Sequence, residues 1–573
     1  MKRFRKLRVI VVVIVLIGLL SYFFREESSV SVSPGSTLVI ELEGNYVEAS
    51  GAPWLASLLG EAERPFASLL TSLALAERDD RIQNVVVVIR PLQIGWGKAG
   101  EVRAALVRLR EAGRHTIAYL DMASLSANLE YFVASGADEV YLTPAGSAPV
   151  VGLAANYFFL GGLWEMLGVT FDVGKAGKYK SAVESLTSRK MSPASEEMAN
   201  SLLDSVNDLF MEAIMEGRDK TREEVVAIIE RGPMLESSLR ETGLVDRVEY
   251  LDALLEQLDA PVVDESEYAH VAPSSVGFSP VASVAMIYGT GNVVQGWANQ
   301  GPSNAPVFAS RTAEEAIGNA AKDPSIDAII LRIDSPGGSA LASEQIWRSV
   351  EKAREEGKPI IASFSDMAAS GGYYASVGAD QIVSNPGAYT GSIGVFALRP
   401  VLGAALAEIG IESQSLTRGP HAGALVSTEP LSAQGRERLE AMVLDIYEVF
   451  TTRVANGRAL SLERVDEIAQ GRVWTGAQAH ELGLVDRLGG LHEAVAAVRE
   501  TLDLEPGADV ALIAFPPPRG FAEELASLLQ MQVDPFGWAA HFFPGTWDPM
   551  QKWLGQVSFD EPLAILPVWV ETR

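Results

Sequence analysis

Short apolar runs rich in β-branched residues alternate with longer segments of helical periodicity along most of the chain. Residues 37–42 (TLVIEL), 85–89 (VVVVI) and 116–120 are typical of strands buried on both faces. Residues 62–76 and 100–112 have the apolar spacing of helices. Strands that alternate with helices in this order predict an α/β fold, built on a parallel sheet with right-handed crossovers.

The second half of the chain repeats the pattern of the first. GLVDR occurs at 243–247 and again, unchanged, at 483–487, and DMA occurs at 121–123 and at 366–368. A stretch rich in proline, serine and charge separates the two copies and is predicted to be a linker. The predicted segments are an anchor at 1–28, α/β repeats at 29–258 and 281–504, a linker at 259–280 and a C-terminal tail at 505–573.

The N-terminus has the charge pattern of a membrane anchor. Five basic residues in MKRFRKLR precede sixteen uncharged residues, 9–24, and Glu26 and Glu27 follow. Basic residues favour retention of their side in the cytoplasm, so the rest of the chain would be exported. A transmembrane helix needs about 20 apolar residues, so sixteen are few for an anchor. A cleaved signal peptide would end in a small-x-small motif, however, and none follows. We predict an uncleaved signal anchor, with a cleaved signal peptide as the alternative.

Composition excludes several classes of function. The net charge of −28 would repel phosphates, so nucleic acid is not an expected partner. The absence of cysteine excludes disulfides, thiol catalysis and thiolate metal sites. The six histidines are scattered without HExxH-like spacing. We therefore predict neither a metal nor a cofactor.

Two motifs on consecutive predicted strands carry the candidate chemistry. Residues 328–333 (AIILRI) lead into SPGG, and residues 359–364 (PIIASF) lead, after a short turn, into Ser370 and two glycines. Glycines at a strand end expose backbone N–H groups, and a serine beside such donors suits nucleophilic attack and oxyanion binding. Either motif alone would be an ordinary βα turn. Their occurrence as a pair favours an active site with Ser370 as nucleophile.

The first copy lacks this chemistry and holds a different reactive group. It reads RPLQ in place of SPGG, and Asn128 stands where the second copy has Ser370. It contains GKAGKYKSAVE, with Lys175, Lys178 and Lys180, whereas the corresponding part of the second copy has no lysine. Complementary loss predicts one composite site that takes its amine from the first copy. A solvated basic loop is the alternative for the lysines, and His421 is the rival base.

Four motifs in order, GKYKSAVES with MSPAS, RIDSPGGSA, DMAASGGYY and TGSIGVF, resemble the long, duplicated form of the signal peptide peptidase A family. Members are membrane-anchored serine peptidases of the Clp protease/crotonase fold, and the resemblance covers residues 37–502. It implies a Ser/Lys dyad with Ser370 as nucleophile, Lys180 as general base and Ser392 as the hydroxyl that positions the amine. It also implies an oxyanion hole made by the N–H groups of Gly338 and Gly371.

The resemblance implies further expectations about function and assembly. We expect a serine endopeptidase that hydrolyses short hydrophobic peptides, such as signal-peptide remnants, through an acyl-enzyme. It would be a single-pass protein of the cytoplasmic (inner) membrane, a homotetramer, with its catalytic domains on the periplasmic, extracytoplasmic side. The alternatives are a crotonase-like acyl-CoA enzyme and a non-catalytic membrane scaffold. The tail matches no motif of the family, and we expect its tryptophans to pack on the body or on a neighbouring subunit.

Overall fold

The computed structural model describes residues 32–48, 64–233, 235–298, 306–419, 421–423, 427–516 and 563–565. The predicted anchor and the four tail tryptophans lie outside these ranges. Within them, no helix is both long and apolar enough to cross a membrane.

The elements alternate as the hydrophobic pattern predicts. The described strands are β1 Ser36–Gly44, β2 Ile82–Leu92, β3 His115–Leu120, β4 Glu139–Leu142, β5 Thr170–Ala176, β6 Arg247–Val248, β7 Val262–Asp264, β8 Ala282–Thr290, β9 Asn292–Val294, β10 Val307–Ala309, β11 Ala328–Ser335, β12 Gly337–Ser339, β13 Ile360–Ala369, β14 Gln381–Ser384, β15 Tyr389–Gly391, β16 Val395–Val401, β17 Val473–Thr475, β18 Arg487–Leu488, β19 Val510–Ala514 and β20 Leu563–Ile565.

Helices connect most of these strands. The described helices are Phe66–Arg78, Trp96–Glu111, Asn128–Ala134, Gly161–Met166, Glu184–Thr187, Pro193–Arg218, Arg222–Arg231, Glu236–Glu241, Leu251–Leu258, Glu265–Tyr268, Ser310–Lys322, Ala340–Glu355, Gly371–Ser376, Gly403–Glu408, Ala433–Gly457, Leu462–Ile468, Gly476–Glu481 and Leu491–Thr501, with a 3₁₀ turn at Pro273–Val276.

Two parallel sheets have the same strand order. The first runs β6-β4-β3-β2-β1-β7, and the path β18-β14-β13-β11-β8-β19 repeats that order in the second. The described part of the second sheet has eight strands, because β13 also pairs with β15, which pairs antiparallel with β17. All the pairs along both paths are parallel. Each strand of the first sheet therefore has a counterpart in the second, in the same place and the same chain order. The predicted α/β architecture and the internal repeat are both confirmed.

A pair of buried tyrosines aligns the two copies residue by residue. Tyr131 Oη donates to the carbonyl of Leu244 at 2.7 Å, and Tyr373 Oη donates to the carbonyl of Leu484 at 2.8 Å. These leucines occupy the same place in the two GLVDR segments. The tyrosines are thus equivalent, and the residues three positions before them, Asn128 and Ser370, are equivalent as well.

The central strand of the second sheet is buried on both faces. Every side chain of the AIILRI run in β11 is at most 1% exposed, including that of Arg332. Burial of each large aliphatic side chain contributes about 1.5–3 kcal/mol, whereas a buried guanidinium costs free energy unless it is paired. Arg332 is paired with residues of the first copy. Its Nε lies 2.9 Å from Glu48, and Glu101 accepts from its Nη2.

A second buried cation continues this contact between the copies. Lys98 Nζ lies 2.9 Å from Asp366 and 3.3 Å from Glu48, and it also donates to Asp334. Asp334 and Asp366 belong to strands β11 and β13, which lead into the SPGG loop and into Ser370. The two copies are therefore joined by ion pairs directly behind the candidate site.

A third sheet also contains strands from both copies. Its order is β10-β9-β12-β20-β16-β5. Strand β5 of the first copy pairs antiparallel with β16 of the second, with Ala176 opposite Val395. Because β5 leads directly into the lysine-rich loop, this pairing carries that loop into the second copy.

Candidate active site

Ser370 lies at the sharp turn between strand β13 and the helix Gly371–Ser376. Its φ and ψ are +54° and −112°, a conformation that non-glycine residues rarely adopt. The turn is held by its own backbone, because Ser370 N–H donates to Gly391 at 2.8 Å and its carbonyl accepts from Tyr374 N–H at 2.8 Å. Such strain costs on the order of 1–3 kcal/mol and is typical of functional sites.

Lys180, from the other copy, reaches this serine. Its Nζ lies 2.7 Å from Ser370 Oγ, 2.9 Å from Ser392 Oγ and 3.0 Å from the Ser392 carbonyl oxygen. All three residues are fully buried. The structure thus brings together three of the predicted site residues, although Lys180 and Ser370 are 190 positions apart in the sequence.

Closely packed glycines let the lysine loop enter the second copy. A Cβ on Gly471 would lie 2.6 Å from Lys180 Cβ, and one on Gly177 would lie 2.4 Å from the carbonyl carbon of Gln470. Both glycines have positive φ, +74° and +101°. Tyr179 N–H donates to the Gln470 carbonyl at 2.8 Å, so the crossing is fixed by a backbone hydrogen bond. No side chain at either glycine would fit without displacing the lysine loop.

The surroundings of Lys180 favour its neutral form. Burial lowers the pKa of Lys180 well below its ordinary value. Among the described residues it forms no ion pair with a carboxylate, so no nearby negative charge opposes that effect. A buried amine in these surroundings can lose its proton near neutral pH, and in that state it can act as a base.

Lys98 is equally buried, and its pKa shifts the other way. Burial alone would lower the pKa of Lys98, but the charges of Asp334, Asp366 and Glu48 raise it well above its ordinary value. Lys98 therefore remains a cation that neutralises the carboxylates around it. The presence or absence of those carboxylates distinguishes a structural lysine from a candidate base.

The two glycines of the predicted oxyanion hole lie in β12 and at the start of the helix that follows β13. Gly338, in β12, has φ of +157°, and a Cβ there would lie 2.1 Å from the Val293 carbonyl oxygen. Only glycine therefore allows β12 to lie against β9 in this way. Gly371 follows Ser370 as the first residue of its helix. A Cβ on Gly372 would lie 3.1 Å from the Ser335 carbonyl oxygen, so the SPGG loop packs against this helix.

The other two lysines of the loop are far more exposed than Lys180. The side chain of Lys175 is 41% exposed and lies 3.9 Å from Glu184. Lys178 is exposed and lies over the ring of Tyr179, with 4.6 Å from Nζ to the ring centroid. Both fit the solvated basic loop that was the alternative reading of the lysine cluster.

Neither His421, the rival base, nor Asn128, the counterpart of Ser370, contacts Ser370 or Lys180 through a hydrogen bond among the described residues. His421 shares no hydrogen bond with Ser370 among the residues that the structure describes. Asn128 is buried, and its Nδ2 donates to the Gly152 carbonyl at 2.9 Å while its Oδ1 accepts from Val151 N–H at 3.2 Å. The side chain that replaces the nucleophile in the first copy thus holds a loop.

No group of three histidine, aspartate or glutamate side chains in the described ranges is arranged to bind a metal.

The sequence analysis missed the buried charges behind the site. Burial raises the pKa of Asp334 to about 6, and Arg332 and Lys98 lower the pKa of Glu48 to about 2 against the effect of its burial. Asp366 accepts from the backbone N–H groups of Gly95 at 3.0 Å and of Lys98 at 2.7 Å. A signal was present, because Arg332 and Asp334 lie in a run that otherwise reads as a buried apolar strand.

Comparisons with known proteins identify the family of the chain. Residues 108–263 and 352–505 match Peptidase family S49, one range in each half of the chain. Serine protease SPPA, chloroplastic, of Arabidopsis thaliana is 32% identical over 497 residues, covering 84% of this chain and 71% of that protein. Protease 4 of Salmonella typhi is 31% identical over 422 residues, 70% of this chain and 66% of that protein. Protease 4 of Haemophilus influenzae is 28% identical over 524 residues, which cover 84% of this chain and 82% of that protein.

Solved structures give weaker matches. ClpP1 from Listeria monocytogenes covers 36% of this chain and 91% of its own, with 13% identity and a TM-score of 0.23. A mutant of the 1510-N membrane-bound stomatin-specific protease covers 41% of this chain and 98% of its own, with 17% identity and a TM-score of 0.26. Scores this low carry no argument, so the fold rests on the topology described above. The matched ranges and the relatives show that the chain belongs to peptidase family S49, with its domain duplicated, and is a serine protease.

Proposed function

We propose that this serine protease is a signal peptide peptidase-type endopeptidase that uses Ser370 as nucleophile and Lys180 as general base. The observation that carries the proposal is the 2.7 Å distance between Lys180 Nζ and Ser370 Oγ in a buried site. The lowered pKa of Lys180 supports it, because a protonated amine could not accept the serine proton.

In this proposal, Ser392 orients the amine of Lys180. A neutral amine has two N–H donors and one lone pair. The Ser392 carbonyl oxygen can only accept, and the Ser392 hydroxyl can accept as well, so together they use both donors. The lone pair then faces Ser370 Oγ and accepts its proton. Ser392 thereby acts as the residue that positions the base.

The reaction that follows from these roles is acyl transfer. Ser370 Oγ attacks the scissile carbonyl carbon while its proton passes to Lys180 Nζ. The N–H groups of Gly338 and Gly371 donate to the oxyanion of the tetrahedral intermediate. Lys180 then gives the proton to the leaving amine, which departs and leaves an ester on Ser370. Water, activated by the same amine, hydrolyses that ester.

The proposal extends to fold class, substrate, location and assembly. The two units would share the Clp protease/crotonase fold, and the substrates would be short hydrophobic peptides such as signal-peptide remnants. The basic and then apolar N-terminus supports a single-pass anchor in the cytoplasmic (inner) membrane, with the catalytic domains on the periplasmic side. We further propose a homotetramer. An acyl-CoA enzyme or a scaffold would have no need of the contact between Ser370 and Lys180.

A fluorophosphonate probe tests the nucleophile. The full-length protein, kept in detergent, should be labelled on the peptide that contains Ser370, and Ser370→Ala should lose both the label and the hydrolysis of a short apolar peptide. Ser376→Ala is the matched control, since Ser376 is equally buried in the adjacent helix and only donates to the Tyr373 carbonyl. Labelling at another residue, or hydrolysis that survives in Ser370→Ala, would remove Ser370 from this role.

A further inference from the structure

A segment of the C-terminal tail forms a strand at the candidate active site. Leu563–Ile565 is β20, and it pairs antiparallel with β12, with Ala564 opposite Gly338. On its other side it pairs antiparallel with β16, with Leu563 opposite Phe396. The segment therefore lies between two strands of the second copy, far along the chain from both.

The segment fills a slot one strand wide. On their outer sides, β12 pairs with β9 and β16 pairs with β5. In the described part of this sheet, β20 alone connects those two halves. Neighbouring strands lie about 4.8 Å apart, so β12 and β16 are about 10 Å apart with one strand between them. An extended peptide is the element that satisfies the facing backbone groups of both edges.

The slot runs along the proposed catalytic groups. Gly338, opposite Ala564, is one of the two proposed oxyanion donors. Strand β16 begins three residues after Ser392. Some Cα atoms of β20 lie within 8 Å of Cα atoms in the helix Gly371–Ser376, which starts directly after Ser370. A substrate whose scissile carbonyl is to reach Ser370 needs the position that β20 takes.

The sequence of the segment is like that of the proposed substrates. It reads LAIL between Pro562 and Pro567, without charge or polar side chain. Backbone pairing supplies affinity for any extended peptide, and apolar side chains are the chemistry that a peptidase for hydrophobic peptides would accept.

We propose that residues 563–565 are an internal competitor that occupies the peptide-binding slot of the active site and must leave before a substrate enters. This inference rests on the proposed function, since it assumes that the slot beside Ser370 is where peptides are cleaved. Because the segment belongs to the same chain, its competition with a free peptide is intramolecular and does not depend on the enzyme concentration. It therefore raises the apparent KM of a free peptide without changing the chemical step.

A proline in the segment tests the inference in the full-length protein. Ala564→Pro removes an N–H from a strand that has a partner on each side, and it should weaken the pairing of the segment. We expect KM for a short apolar peptide to fall about 3- to 10-fold at nearly unchanged kcat, and Ser370 to react correspondingly faster with a fluorophosphonate. Thr572→Pro, outside the described strand, is the matched control and should match the wild type. Intact mass should confirm that each protein keeps its tail.

A synthetic peptide of residues 558–573 completes the test. It should inhibit Ala564→Pro competitively, with a smaller effect on the wild type, whose slot is already occupied. Equal KM and equal labelling rates in Ala564→Pro, Thr572→Pro and the wild type would overturn the internal competitor. Absence of labelling at Ser370 in all three proteins would instead overturn the proposed function, so the two failures are distinguishable.

Discussion

The protonation of Lys180 sets the rate of acylation if this residue is the base. In water, an amine with a pKa of about 10.4 is neutral in only about 0.04% of molecules at pH 7. While the pKa stays above the working pH, each unit by which it falls raises the neutral fraction about tenfold; the rate rises by less, because an amine of lower pKa is a weaker base. Burial lowers the pKa of Lys180 well below the ordinary value, and no carboxylate among the described residues pairs with it to oppose that shift. The amine should therefore be largely available as a base at a pH well below 10.4.

Substitution by arginine isolates this property. Lys180→Arg keeps a long cationic side chain, but a guanidinium does not release its proton at working pH. Loss of a positioned general base costs about 10²- to 10⁴-fold in rate, so acylation of Ser370 should fall by about that factor. Lys178→Arg is the matched control, because Lys178 is exposed over the ring of Tyr179, and it should stay within about twofold of the wild type.

The pH dependence of labelling by an uncharged phosphonate measures the pKa of Lys180 directly. The neutral form of Lys180 is the active one, so the rate should rise about tenfold per pH unit below the pKa of this residue and level off above it. The plateau should begin well below pH 10.4. A rate that levels off only near pH 10.4 would refute the lowered pKa, and a Lys180→Arg protein that acylates normally would refute the dyad.

Two further substitutions test the framework around the dyad. Lys98→Met should remove the cation that pairs with the partly buried Asp334 and Asp366, and it should lower the free energy of unfolding by up to about 3–5 kcal/mol in denaturant titrations. Lys352→Met, at an exposed ion pair, should change it by less than about 1 kcal/mol. Similar losses in the two variants would contradict the role of the network. Gly471→Ala places a methyl group against Lys180 and should lower kcat at least about tenfold. Gly357→Ala is the control, because Gly357 also has a positive φ but has open space around it, and this variant should leave kcat unchanged. Equal kcat values in the two variants would show that the lysine loop tolerates displacement.

Local patterns predicted the elements, Ser370 and the lysine cluster, whereas the family resemblance supplied the role of Lys180 and the choice of Ser392, Gly338 and Gly371. The buried strands are continuous apolar runs, and burial on both faces of a parallel sheet requires that pattern. The comparison of the copies indicated where chemistry had been kept, because Ser370 and Lys180 are each missing from the other half. The tyrosines of the two helices support the alignment on which that comparison depended.

The pairing of segments that are distant in the chain could not be predicted, because it leaves no pattern in the local sequence. The β5–β16 ladder joins residues more than 200 positions apart, and neither strand shows in its sequence which edge it will meet. Gly471 has no local signature either, although a Cβ at that position would displace Lys180. Leu563–Ile565 is too short to be recognised as a strand, and two edge strands from elsewhere in the chain determine its conformation.

The proposed dyad is divided between the copies, and this division requires a rigid contact between them. A base acts only when it lies within hydrogen-bond distance of the proton it takes, and here the 2.7 Å between Lys180 and Ser370 spans the junction of the two halves. Behind the site, Lys98 pairs with carboxylates of the second copy and Arg332 with carboxylates of the first, and these pairs fix β11 and β13 against the first half. Removal of one partner would leave a buried charge unpaired, so the halves cannot separate at low cost. Under the proposed mechanism, duplication allowed each copy to lose half of the chemistry because these buried ion pairs keep the other half in reach.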